Sequence, residues 1–176
     1  CSLMQRAIHT ATIISSRLGL PLYSLLEAHE VGGVFVETVI NDVIEISQEY
    51  GVTPEFLTRH YPGLLLSKPI PENGWWRGGR EDDSLPLKRA HEVLNYLKER
   101  HYGSEDRVAL VTHGGFYNYL VRAMLQIAPH EPDNRKLNFR LIYNNCALSR
   151  FDFVGDRIWM VYHNRTDFLP DELVTS

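Results

Sequence analysis

Apolar residues recur at intervals of three and four along several stretches, and this spacing predicts helices. From Met4 to Leu18 the positions Ala7, Ile8, Ala11, Ile14 and Leu18 fall on one helical face, with Gly19 and Pro21 beyond it to stop the helix. Ser84 to His101 repeats the pattern with Ala90, Val93, Leu94 and Leu97, and Gly115 to Ile127 follows suit. Thr53 and Pro54 read as an N-cap and a first-turn proline, opening a short helix to about Tyr61. Val36 to Tyr50 mixes apolar and acidic positions and is read as helical too. Other stretches read as strands: Pro21 to Leu26, Arg107 to Thr112 with its buried run Val-Ala-Leu-Val, then Leu141 to Phe153 and Arg157 to His163 around the turn signal Val154-Gly155-Asp156. Loops fall at Glu27 to Phe35, at Pro129 to Leu137, and at Pro62 to Arg80, a length that usually serves function or forms a lid. Strands alternating with helices predict an α/β layered sheet. No repeat or linker divides residues 1–176, so a single domain is expected.

Composition narrows the class. The 176 residues are 44% hydrophobic and 23% charged, the balance of a soluble globular domain and not of a disordered chain. No apolar run is long enough to span a membrane. A net charge of -4 lacks the basic footprint of a nucleic-acid binder. Two cysteines build neither a disulfide framework nor a Cys-rich zinc site, which makes a reducing, cytoplasmic setting the expectation. Cys146, before a strand, reads as a small buried hydrophobe. His60, His91, His101, His130 and His163 show no metal-ligand spacing, so neither metal nor cofactor is expected. Self-association stays open.

Three segments carry candidate chemistry. In Val108-Ala-Leu-Val-Thr-His113-Gly114-Gly115 a strand ends in histidine, and two glycines lead into a helix. Ligands of open α/β sheets bind beyond the carboxyl ends of strands, and a helix N-terminus favours an anion such as phosphate. Gly114 lets backbone approach that anion, and His113 stands beside it; the alternative is a histidine bonded there for structural reasons. In Ser2-Leu3-Met4-Gln5-Arg6, a serine and an arginine begin a helix; arginine offers bidentate donors to phosphate, unless it is simply a solvated surface residue. In Glu27-Ala28-His29-Glu30, a carboxylate after a strand suits a general acid, against the alternative of a solvated acidic loop. Trp75 and Trp76 either cover a pocket or pack beneath their loop, while Arg77 and Arg80 either meet an anionic substrate end or are surface charges.

Together these segments resemble the histidine phosphatase superfamily, which includes the phosphoglycerate mutases. Ser2 to Ala11 is similar to its Ser-Pro-Leu-x-Arg-Ala-x-x-Thr-Ala stretch, with Leu3 in place of proline. Val111-Thr112-His113-Gly114-Gly115 is similar to its second-histidine motif, and Ala28-His29-Glu30 to the segment carrying its acid. Gly74-Trp75-Trp76, Arg80-Glu81, Arg89-Ala90 and the tail from Asn164 to Leu173 resemble a mutase-like subgroup. The resemblance implies a three-layer sandwich, a mostly parallel sheet with helices on both faces. It implies that Arg6 and His113 bind the phosphoryl group of a small phosphorylated substrate, and that Glu30 donates the proton to the leaving oxygen, with Glu27 in reserve. Phosphatase is favoured over mutase, since nothing in the sequence identifies a shield that would keep water from a phosphohistidine.

One departure matters. The family's nucleophilic histidine lies in Arg-His-Gly, which is absent here: Arg59-His60 and Arg100-His101 are each followed by tyrosine. Glu99-Arg100-His101-Tyr102-Gly103 imitates an acid motif of the mutases but sits at a helix end before the His113 strand, and His9 lies inside the first helix. The chain begins at Cys1, and the resemblance implies a preceding strand, helix and strand that bear the nucleophile. A protein that truly lacked them would be an anion-binding pseudoenzyme, and an unrelated α/β fold binding a nucleotide at Gly114-Gly115 is the further rival.

Overall fold

The computed structural model describes residues 1–40, 43–48, 50–127 and 139–175. Helix α1 spans Gln5–Leu18 and buries Ala7, Ile8 and Ala11 of the predicted face, whereas Ile14 and Leu18 of that face are exposed. Gly19 closes it in the left-handed conformation (φ 65°), which glycine adopts without steric cost. Strand β1 is only Leu22–Tyr23, shorter than the strand expected over Pro21 to Leu26, and a 3-10 turn begins at Leu26 and runs to Ala28.

The segment read as a helix over Val36 to Tyr50 is instead an antiparallel pair, β2 (Phe35–Ile40) and β3 (Val43–Gln48), in register from Phe35↔Gln48 to Ile40↔Val43. Val36, Thr38, Val39, Ile40, Val43, Ile44 and Ile46 are β-branched, stiff at χ1 and suited to a pleated surface; that preference outweighs the acidic residues between them. Helix α2 (Pro54–His60) starts as read, with the Thr53 hydroxyl accepting from the Phe56 amide at 3.1 Å. Strand β4 (Leu64–Leu65) lies parallel to β1.

Helix α3 (Leu85–His101) and helix α4 (Gly114–Met124) pack on each other around Phe116, which is fully buried among Leu25, Ala28, Leu87, Ala90 and Val93. A second core joins Leu3, Met4, Ile8 and Ala11 to Leu57 and Trp75. Arg107 to Thr112, expected as a buried strand, runs between α3 and α4 with no strand pairing among the described residues; Val108 is exposed, and the Val111 carbonyl accepts from the Ser2 amide at 3.0 Å. Strand β5 begins only at Leu148 and reaches Val154; it pairs antiparallel with β6 (Arg157–Arg165). Cys146 is exposed, not buried, and holds a left-handed backbone (φ 59°) in the turn before β5. The predicted loop at Pro129 to Leu137 lies outside the described residues.

The fold is thus mixed α/β. Its strands, among the described residues, form three two-stranded sheets, of which β1–β4 alone is parallel, where one mostly parallel sheet flanked on both faces was expected. Tyr117 fastens the β5–β6 hairpin to α4. It stacks on Tyr143 with ring centroids 4.5 Å apart, and its hydroxyl lies 2.8 Å from His163 Nδ1. The other ring nitrogen of His163 faces the Ile142 carbonyl at 3.0 Å; a carbonyl only accepts, so Nε2 carries the hydrogen and Nδ1 accepts from Tyr117.

Candidate active site

The chain order Ser2, Arg6, Glu30, His113 becomes one cluster. Arg6 lies in the first turn of α1, exposed, and its Nε–H donates to His113 Nδ1 at 3.2 Å. The two residues are 107 positions apart. His113 is the N-cap of α4, in extended conformation (φ -128°, ψ 154°), and is 6% exposed. Its Nε2 lies 2.9 Å from Ser2 Oγ, which also accepts from the Met4 amide at 3.2 Å. Ser2 is fully buried. Burial first, and then electrostatic repulsion from Arg6 and the other basic side chains nearby, lower the His113 pKa from 6.5 to about 3. At neutral pH the ring is therefore uncharged.

No side chain of α4's own N-cap satisfies its first amides. Glu30 does so instead. Its Oε1 accepts from Phe116 at 2.8 Å and from its neighbour Val31 at 2.8 Å, and Oε2 accepts from Gly115 at 3.2 Å. Gly115 makes this approach possible, because a Cβ there would stand 2.5 Å from Glu30 Oε1. Gly114, singled out in the sequence for backbone approach, has only ordinary contact distances of 3.8 Å around its missing Cβ. Glu27 points elsewhere, into an ion pair with Lys68 on the surface.

A buried clamp fixes the loop that carries Glu30. Glu81, 6% exposed, accepts from Arg89 Nε at 2.5 Å and Nη2 at 2.7 Å, and from the Gly32 amide at 3.2 Å. Arg89 Nη1 donates in turn to the carbonyls of Glu27 and, at 3.1 Å, of His29. Burial alone would push the Glu81 carboxyl up, but its contacts with His29 and Arg89 outweigh it and hold the pKa at about 2. His29 donates from Nδ1 to the Leu26 carbonyl at 2.7 Å, and its buried Nε2 stands 3.7 Å from Glu81 Oε1. Its ring rests against Trp75 and Trp76, at centroid distances of 5.2 and 4.9 Å. Trp75 belongs to the second core, and Trp76 lies over Gly33 while its indole donates to Gly79, so the tryptophan pair packs beneath the loop.

Glu81 and Arg89 stand out in the sequence only through the resemblance, with no role attached, and of the two glycines expected to allow close approach it is Gly115 whose missing Cβ matters. The available signal was the spacing of eight from Glu81 to Arg89, which puts an acid just before α3 within reach of a base on its buried face. Of the other described histidines, His9 is exposed on α1, His91 meets the Ile127 carbonyl, and His101 pairs with Asp106 at the end of α3, while His130 lies outside the described residues. Among the described residues, no three metal-ligating side chains gather and no helix is long and apolar enough to cross a membrane.

What the cluster offers is an exposed guanidinium, a neutral imidazole, a carboxylate at a helix N-terminus, and a rigid buried support. That set suits an oxyanion with several oxygens. The chain matches the family model described as histidine phosphatase superfamily (branch 1) over residues 1–166. No curated protein matches it.

Proposed function

The chain belongs to the histidine phosphatase superfamily, and from that premise we propose that it serves a phosphatase, which hydrolyses a small phosphorylated metabolite through a phosphohistidine. The observation that carries this reading is the direct Arg6–His113 contact, with Glu30 bonded to the first amides of the helix that His113 caps. Arg6 and His113 hold the equatorial oxygens of the phosphoryl group and stabilise the charge that develops there. The nucleophile is the histidine of an Arg-His-Gly segment, which these 176 residues do not contain; we place it outside them. Its nitrogen bonds to phosphorus as the bond from phosphorus to the ester oxygen breaks, and the leaving oxygen takes a proton from Glu30. Water then cleaves the nitrogen–phosphorus bond and releases phosphate. Glu30 is favoured over Glu27 because Glu27 is tied to Lys68, and because Glu30 Oε2, with one amide bond against two at Oε1, has room for the transferable proton. Two cysteines without a disulfide support a reducing, cytoplasmic setting, and the three-layer sandwich belongs to this same reading.

The test is hydrolysis of p-nitrophenyl phosphate by a protein carrying the Arg-His-Gly segment. His113→Ala and Arg6→Ala are each expected to lower kcat/KM by at least two orders of magnitude, the usual scale for losing a charge-stabilising donor. Activity within a few fold of the parent in His113→Ala would refute its role, and inactivity of the parent would favour the anion-binding pseudoenzyme.

A further inference from the structure

His29 directly precedes Glu30 in the chain and is 4% exposed. Both polar groups around its ring are acceptors. Nδ1 lies 2.7 Å from the Leu26 carbonyl, which cannot donate, so Nδ1 carries a hydrogen. Nε2 is buried with no hydrogen-bond partner among the described residues, and Glu81 Oε1, in a carboxylate paired with Arg89, stands 3.7 Å away. The other neutral tautomer does not relieve this, because it turns a bare Nδ1 toward the carbonyl. No hydroxyl among the described residues bonds to Nε2, so none can turn and donate instead. The ring is flanked by Trp75 and Trp76, and the Trp76 indole N–H is given to Gly79. A neutral ring therefore leaves a buried lone pair facing a carboxylate, which is costly.

A second ring hydrogen satisfies both nitrogens. The imidazolium donates from Nδ1 to Leu26 and from Nε2 to Glu81, whose Oε1 accepts one bond from Arg89 Nε and keeps a lone pair. Two groups oppose that proton. Arg89 already neutralises Glu81, and His113 at the start of α4 is near enough for the two rings to repel when both are charged. Glu30 is turned away toward the amides of α4. Closing the 3.7 Å gap matters because Glu81 already holds the loop by its backbone. Glu81 Oε2 accepts from the Gly32 amide, the Glu81 amide donates to the Gly32 carbonyl at 2.8 Å, and Arg89 reaches the carbonyls of Glu27 and His29.

Resting on the reading of Glu30 as proton donor, we propose that His29 is a positioning residue for Glu30: a proton from solvent, taken up at Nε2, closes the ring onto Glu81 Oε1 and locks the Glu30 loop against the segment that leads into α3.

Nitrogen-15 spectra of the 176-residue chain read the ring directly between about pH 8 and about pH 5, the range in which histidine changes charge. His29 is expected to hold a hydrogen on Nδ1 alone at the upper end and on both nitrogens at the lower, with the Glu81 carboxyl carbon shifting at the same midpoint. Amide hydrogen exchange at Gly32 and Gly33, corrected for its intrinsic pH dependence, is expected to slow roughly tenfold as the ring charges, the scale of one charge-assisted hydrogen bond. In His29→Gln, whose side chain gains no charge, that response is expected to vanish; the parent's spectra do not depend on the folding of the variant. A ring that stays in one state across the range, or charges without slowing exchange in the loop, overturns this inference and leaves the role of Glu30 standing. That role is tested apart, with phenyl phosphate and the protein that carries the Arg-His-Gly segment. There Glu30→Gln is expected to lower kcat roughly a hundredfold, and hydrolysis at the parental rate overturns Glu30 as donor and the positioning role of His29 with it.

Discussion

At the scale of single residues, His113 shows how burial sets chemistry. Its pKa in the fold, about 3, lies below its ordinary 6.5. Between those values the unfolded chain binds more protons than the folded one, so stability falls as pH drops through that window and rises as pH climbs back. Urea unfolding at neutral and mildly acidic pH should show the parent losing more stability on acidification than His113→Gln. Equal losses would mean that the ring is not buried in its neutral form. The residue scale is also where the sequence was most legible. Arg6, Glu30 and His113 come together as their motifs implied, because each stands at a helix start or a glycine-bounded loop whose geometry is local. The partners of those residues were harder to see. Nothing near Gly115 in the chain reveals that a carboxylate 85 positions away needs the space where a Cβ would be.

At the scale of elements, the loop from Glu27 to Gly33 and helix α3 act as one unit through Glu81 and Arg89. A buried ion pair contributes little beyond an apolar pair of equal volume, but breaking it strands a charge. Arg89→Ala is therefore expected to cost about 3–5 kcal/mol in chemical denaturation, and Glu81→Leu with Arg89→Met much less than the sum of the single changes. Additive losses in that double variant would show that the pair acts as two separate contacts. Elements also mark where pattern reading failed. β2 and β3 were read as helix since acidic residues break up their apolar run, although their β-branched residues favoured a pleat. Arg107 to Thr112 has the composition of a central strand, yet a strand is defined by partners, and among the described residues it has one backbone bond to Ser2. Composition reports suitability for a neighbour and not the neighbour's presence.

At the scale of the whole molecule, two cores lie under a surface that keeps much apolar area in water. Ile142, Leu148, Val154, Trp159 and Val161 are all exposed on or beside the β5–β6 hairpin, and Ile13, Leu18 and Leu20 on or just beyond α1. Clustered exposure of this kind marks surface that associates or aggregates. The folded chain is expected to enhance the fluorescence of anilinonaphthalene sulfonate, and Trp159→Lys to reduce that signal without lowering the unfolding midpoint. A dye signal unchanged by the substitution would place the binding surface elsewhere.

The bond between Arg6 and His113 joins the first turn of the first helix to the start of the last, and it closes a loop of more than a hundred residues. Closing so long a loop is entropically late, since local helices and the hairpin form from nearby residues first. Pairing of Arg6 with His113 is therefore a late event of folding rather than its seed. A nascent chain can bring Arg6, Glu30 and His113 together only after α4 has been made and docked, whereas the β5–β6 hairpin that Tyr117 fastens to α4 is synthesised later still.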